Sequence, residues 1–310
     1  GRWTMTRAPL GPLRGALAAI GSAFIYLLIR CFGRTLSEDE APWLWGPFGG
    51  EYIGDRPYEE CAEREGLELT RQASAGGLIP DFAVLDGDGF AAAQVRREVR
   101  DFYERTAEFR MDVWAESAFP ASIGLWLLVT TISRKVNQLN FPLRALETAR
   151  GMDSEIVLLN TPDGKPRYAG WYRRLRESGR VIYTGFYSTT RVPRRSRACV
   201  KVAFPMPEGN ATVLLAPSVD ADGSFRLSSE GSDFGDAGFY RLQRGRDGKV
   251  RVWRIHSLKE YFRVYVDEVG TLRCDHAVRF LGLPVLQLHY RIERATSQSR
   301  MDVTGTGPPR

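Results

Sequence analysis

Residues 261–292 read YFRVYVDEVGTLRCDHAVRFLGLPVLQLHYRI, and their alternation decides the fold. Leu272, Cys274, His276, Val278 and Phe280 fall on one side of an extended chain; Arg273, Asp275, Ala277 and Arg279 fall on the other. Downstream, Leu286, Leu288, Tyr290 and Ile292 oppose Gln287, His289 and Arg291. A period of two with one apolar and one polar side is the pattern of antiparallel strands that have a single wet face.

Working back from this stretch, the same grammar extends to Glu155. Eleven strand-like runs follow one another: IVLLN, RYAGWYRRL, RVIYTGFYST, ACVKVAFP, ATVLLAP, SFRLSS, GFYRLQRG, KVRVWRIH, YFRVYVDE, LRCDHAVRF and VLQLHYRI. Between them stand TPDG, RESG, PEGN, DADG, GRDG and DEVG, which is hairpin-turn chemistry. Strands joined by such short loops pair antiparallel. Gly170 and Gly185 interrupt two of the runs. A mid-strand glycine weakens a sheet unless the sheet bends there or a neighbour approaches closely.

Upstream the pattern is helical and loop-rich. Asp88–Phe109 predicts one helix, with Phe90, Val95, Val99, Phe102, Tyr103 and Thr106 along one side, and RMDVWAES predicts a short strand after it. Pro57–Gln72 predicts a short helix stopped by Gly66 and then a strand. WLWGPFGGEYIGDRP at 43–57 is too rich in Gly and Pro for a regular element, and its rings are expected in the core. SAFPASIGLWLLVTTIS at 117–133 is of borderline length for a membrane span but diluted by Ser and Thr, and reads as a buried helix, with membrane association as the alternative. The resulting class is α+β: N-terminal helices and loops, then a large antiparallel β-sheet curled into a barrel or cup. The expected divisions are 1–36, an apolar helix with basic flanks; 37–150, helical and loop-rich; 151–294, the antiparallel β domain; and 295–310, a disordered tail.

The 310 residues carry 43 Lys+Arg against 37 Asp+Glu. Much of the excess sits in the first 34 residues, which hold Arg2, Arg7, Arg14, Arg30 and Arg34 and no acid. Basicity concentrated in an apolar arm argues against nucleic acid as a partner. Gly15–Ile29 is uncharged but shorter than a bilayer span, and no small-residue cleavage site follows it. Leu13, Leu17, Ile20, Phe24, Leu27, Leu28 and Cys31 form one helical stripe. Such a stripe packs on the protein's own core or lies in a membrane interface. The expected location is cytoplasmic, with peripheral attachment at the inner face of the membrane as the alternative. The excess of Arg over Lys reads as the codon signature of a GC-rich bacterium.

Chemistry-bearing residues are sparse. Cys31, Cys61, Cys199 and Cys274 make no CxxC pair, and three histidines leave little for a metal site, so neither metal nor cofactor is expected. Cys274 and His276 share a strand face, the spacing of a nucleophile–base pair, but an inert core Cys and a buried hydrogen-bonded His are far commoner there. Asp112 and Glu116 flank Trp114, and Asp112 is a candidate acid–base partner for His276. DGDGF at 86–90 resembles the start of a cation loop but lacks its later ligands. RVPRRSRACVK at 191–201 reads as a solvated basic hairpin. The aromatic inner faces point to a binding protein for a hydrophobic small molecule or lipid. Its expected wall is Trp114, Trp126, Trp171 and Tyr183, with Phe186, His276 and Tyr290 beside them. An enzyme acting on a lipophilic substrate, and an interaction module that uses the aromatic loop at 43–52, are the alternatives. No residue constellation identifies an enzyme.

Overall fold

A computed structural model describes residues 29, 31–49, 56–71, 76–116, 152–175 and 181–295, with 114–116, 152, 175 and 182 described by their backbone alone. Most of the Leu13–Cys31 stripe, the apolar run at 117–133 and the tail from 296 lie outside the described residues. No helix among the described residues is long and apolar enough to cross a membrane.

The described chain is mostly antiparallel sheet with two α-helices. Three strands precede the predicted series: β1 (Arg34–Leu36), β2 (Glu68–Thr70) and β3 (Phe109–Glu116). The eleven runs read from the sequence become β4 (Met152–Asn160), β5 (Pro166–Leu175), β6 (Val181–Arg191), β7 (Ala198–Met206), β8 (Gly209–Val219) and β9 (Phe225–Ser228). They continue as β10 (Gly238–Arg244), β11 (Val250–Ile255), β12 (Leu258–Val266), β13 (Leu272–Phe280) and β14 (Leu283–Arg294). The hydrogen-bonded order is β2-β4-β5-β6-β7-β8-β9-β12-β13-β14-β3, and β10, β11 and β1 branch from β8. The path ends in β2 and β3, so among the described residues the sheet is not closed into a barrel.

One face of this sheet builds the main core. Ile156, Trp171, Tyr187, Val202 and Val213 from β4–β8 belong to the same apolar cluster as Phe225, Val264, Cys274, Leu288 and Tyr290 from β9–β14. The segment 76–108 covers one end of that cluster. Its α2 (Arg97–Glu104) buries Val99, Phe102 and Tyr103. Phe82 packs on Phe225 with ring centroids 4.9 Å apart, and Phe102 meets Phe109 at 5.6 Å.

The long helix expected over Asp88–Phe109 is shorter. Gly87 and Phe90 pair across a tight turn, and the Asp86 carboxylate accepts from the Ala92 N–H at 2.6 Å. Val95 and Arg96 are extended, so the helix starts only at Arg97. The DGDGF stretch is thereby a turn whose leading carboxylate is already engaged, and Arg197 donates to the Asp88 carbonyl at 2.7 Å.

The opposite face of β4–β8 and β10 is covered by the upstream segments. The helix α1 (Pro57–Glu65) starts with Pro57 in its first turn and stops at Gly66 as expected. Its Tyr58 is fully buried against Phe186, centroids 4.7 Å apart, and against Tyr172. Gly170 is where Tyr58 seats: a Cβ there would lie 2.3 Å from the ring. Beside α1, residues 41–49 lie flat on β7 and β8. Lys201 Nζ donates to the Trp45 carbonyl at 2.6 Å, Asn210 Nδ2 to that of Gly46 at 3.3 Å, and Thr212 Oγ1 to that of Leu44 at 3.4 Å. Trp43 is buried with Tyr240 and Phe234, 5.5 and 5.7 Å away. These rings therefore serve the core, which leaves Trp43 unavailable to an external partner.

Candidate functional site

Register places a polar group among the apolar side chains of the main core. On β12, Leu258, Glu260, Phe262 and Val264 share the inner face, and Phe262 stands directly opposite His276 of β13. The rings of Phe262 and His276 stack at 4.0 Å with an interplanar angle of 17°. Glu260 is the diagonal neighbour of His276, within reach across the pair. The imidazole Nε2–H donates to Glu260 Oε1 at 2.6 Å, with both side chains largely buried.

Across the core, β5 and β6 present a second set. Trp171 stands opposite Gly185, and Arg173 opposite Tyr183. A Cβ on Gly185 would sit 2.8 Å from the Tyr183 hydroxyl. The missing side chain lets the Tyr183 ring fold along its own strand, where its hydroxyl meets that of Tyr187 at 2.7 Å. Both strand glycines thus mark close approaches, as the sequence required. The Arg173 guanidinium lies 5.1 Å from the Trp171 ring and 5.3 Å from that of Tyr290. Trp171 Nε1 donates to Ser154 Oγ at 2.7 Å.

Burial pushes the Tyr183 hydroxyl well above its usual range, and the Tyr187 hydroxyl and the Glu260 charge add to the push. Burial also raises Tyr187 and Tyr290, again with a contribution from Glu260; Arg173 opposes the rise at both. These hydroxyls are neutral at physiological pH and able to donate or accept. The two sets therefore share one electrostatic environment inside the core.

The segment 76–108 meets the other end of these strands. Phe109, Val266, Leu272 and Ile292 line a groove there together with Glu98 and Asp101 of α2. Glu260 lies six residues along β12 from Val266, about 20 Å at strand rise. The groove has a volume of about 320 Å³, and its acid Asp101 is tied to Arg294 at 3.4 Å.

Trp171, Tyr183, His276 and Tyr290 thus belong to the inner face as expected. Phe186 does not join them: one residue out of phase with Tyr187, it packs outside with Tyr58 and Tyr168. Trp126 and the Trp114 side chain lie outside the described residues. Asp112 is exposed and registers with Arg291, on the face away from Val113 and Tyr290, so the carboxylate at His276 is Glu260. Asp275 engages His289 Nδ1 at 2.8 Å on the other face, apart from its chain neighbour His276. Cys274 does share the inner face with His276, but burial, followed by the Asp275 charge, pushes its thiol up. That shift is the reverse of nucleophile activation.

Glu260, Tyr187 and Arg173 were missed by sequence reasoning. The signal was phase: in LKEYFRVYV Glu260 falls in step with Phe262 and Val264, as Arg173 does with Trp171 on β5 and Tyr187 with Tyr183 on β6. Among the described residues no three His, Cys, Asp or Glu side chains are placed to hold a metal ion. The basic run after β6 is anchored, with Arg195 paired to Asp236 and Arg194 Nε donating to the Phe234 carbonyl at 3.1 Å.

Comparison with known proteins finds no matching family model, no matching curated protein and no matching solved structure.

Proposed function

We propose that the sheet curls as a cup around its inner face, and that the protein binds a hydrophobic small molecule or lipid there. The apolar body of the ligand would lie against Trp171, Phe262 and Leu288, and its polar end would meet Glu260–His276 and Tyr183–Tyr187. The observation that supports this reading is the ionisable pair at 2.6 Å among the apolar side chains of the core, with Arg173 and the Tyr183–Tyr187 hydroxyls as further polar groups of that face. Taking a carboxylate and an imidazole out of water is costly, and apolar side chains of similar size fill such space at least as well. On this reading the pair, placed there at that cost, is the group that recognises the polar end of the ligand. Peripheral attachment to the inner face of a membrane, partly through Leu13–Cys31, belongs to the same proposal.

The test is calorimetric titration of the full chain with dodecanoic acid and with dodecanol. Saturable one-to-one binding, weakened about tenfold or more by Glu260→Gln or by Tyr183→Phe with Tyr187→Phe, is the expected result. Absence of saturable binding to any amphiphile of this kind rejects the reading.

One alternative has an observation in its favour. With Nε2–H donating to Glu260, the Nδ1 of His276 is the basic nitrogen, the arrangement of an oriented general base. As an enzyme on a lipophilic substrate, the protein would hydrolyse a chromogenic octanoate ester. His276→Ala would then abolish turnover even under conditions where the destabilised variant is still folded; no turnover by the parent protein removes this reading.

A further inference from the structure

The β13–β14 hairpin ends in a two-residue loop, Leu281–Gly282, with φ of +52° and +82°. Positive φ at both positions is the type I′ geometry, in which Asn-Gly or Asp-Gly is the favoured pair. Leucine is disfavoured there, because its Cβ crowds the backbone. Its side chain gains no compensating burial: Leu281 is 71 % exposed and Leu283 beside it is 69 % exposed. The tip is nonetheless held in place, since the Leu281 N–H donates to the Ser257 carbonyl at 2.7 Å.

Behind the tip stands a like-charge pair. Lys259 and Arg279 are direct cross-strand partners, an arrangement that opposes sheet pairing. Glu230 engages Lys259 at 2.6 Å, and the Arg279 guanidinium rests 5.6 Å from the Tyr261 ring. Arg279 is two residues from Leu281, about 7 Å along the strand. That spacing matches the depth at which an apolar side chain enters the acyl boundary while a cation stays among headgroups.

We propose that this tip is a membrane-contact element. Leu281 and Leu283 enter the interface of a bilayer that contains anionic lipid, and Arg279 with Lys259 meets the phosphates. The tip follows the end of β13 where Val278 registers with Glu260 of β12, with His276 at mid-strand. This inference deepens the membrane part of the reading above and does not depend on a ligand inside the sheet.

The experiment is co-sedimentation of the full chain with vesicles of equal parts phosphatidylcholine and phosphatidylglycerol. Leu281→Asn combined with Leu283→Asn is expected to lower the partition coefficient about tenfold or more, from the lost apolar burial. Asparagine suits the positive φ of Leu281, and Leu283 is an exposed strand end, so the thermal midpoint should move little, and measuring it separates lost partition from misfolding. Val269→Asn is the control, because Val269 is 83 % exposed at the opposite end of β13, and it should leave partition unchanged. Lys259→Gln with Arg279→Gln should erase the preference for phosphatidylglycerol. Undiminished binding of the double Asn variant overturns the proposal and assigns attachment to another segment, such as Leu13–Cys31. So does a parent protein that fails to sediment, or a double variant whose one change is a smaller assembly by light scattering, which marks a protein contact. Interior ligand binding is read separately by the amphiphile titration, so the two readings fail independently.

Discussion

Lys201→Met should change how stability depends on pH. Lys201 projects from β7 beneath residues 41–49, and burial lowers its ammonium from 10.5 to about 8. Below that value both the folded and the unfolded chain carry the proton, and the folded state bears the full desolvation cost. Between about 8 and 10.5 the folded amine is neutral while the unfolded one stays protonated. The unfolded state then binds more protons, so this residue's contribution to stability rises with pH and is complete above 10.5. A lowering of that size corresponds to about 3 kcal/mol. The Met variant lacks this titration. Its loss of the hydrogen bond to the Trp45 carbonyl adds a cost of about 1–3 kcal/mol that does not vary with pH.

The parent protein alone will not show the effect cleanly. Burial pushes the thiols of Cys61, Cys199 and Cys274 up, so they lower stability as pH rises through the unfolded thiol range. Both proteins share that loss, and it cancels in their difference. Urea titrations followed by tryptophan fluorescence, run in parallel from about pH 7 to above pH 10, should show the parent gaining about 3 kcal/mol on the variant. A difference that stays flat across this range refutes the claim that Lys201 is buried as an ammonium at neutral pH.

Two further changes test the core and the candidate site. Gly170→Ala forces a methyl into the Tyr58 ring and should cost about 1–3 kcal/mol, with faster amide exchange in α1; an unchanged urea midpoint contradicts that seat. His276→Leu alone should cost about 2–4 kcal/mol by leaving the Glu260 carboxyl without its partner. Adding Glu260→Leu should return most of that loss while amphiphile binding is still abolished. A double variant as unstable as the single one would show that the pair is kept for packing.

The sheet was legible because its signals are local. Most runs in β4–β14 alternate or are largely apolar, and six of the ten junctions carry a turn sequence with Gly, so the series of strands follows from period and punctuation. Gly66 as a stop was legible for the same reason; Gly170 and Gly185 signalled either a bend or a close approach, and the rings of Tyr58 and Tyr183 decide for close approach. The helix over Asp88–Phe109 was overextended because its apolar spacing continues through residues whose backbone is fixed from outside the helix. Asp86 reaches forward to the Ala92 N–H, and Arg96 N–H donates to the Gly223 carbonyl at 3.0 Å. Long-range contacts of that kind leave no periodic trace. The partner of His276 was missed on similar grounds, since Glu260 is 16 positions away and register alone joins them. Phase separates Phe186 from Tyr183 and Tyr187 and places it on the opposite face, with Tyr58 and Tyr168.

The most direct test of the central claim is native mass spectrometry of the full chain purified without detergent, followed by organic extraction of the denatured protein. The account predicts a bound mass that is lost on denaturation and recovered in the organic phase as a lipophile with one polar end. It also predicts that this mass is missing when Glu260→Leu and His276→Leu are combined. A parent protein that is monodisperse, folded and free of any bound mass, and that takes none up from added amphiphile, would contradict it.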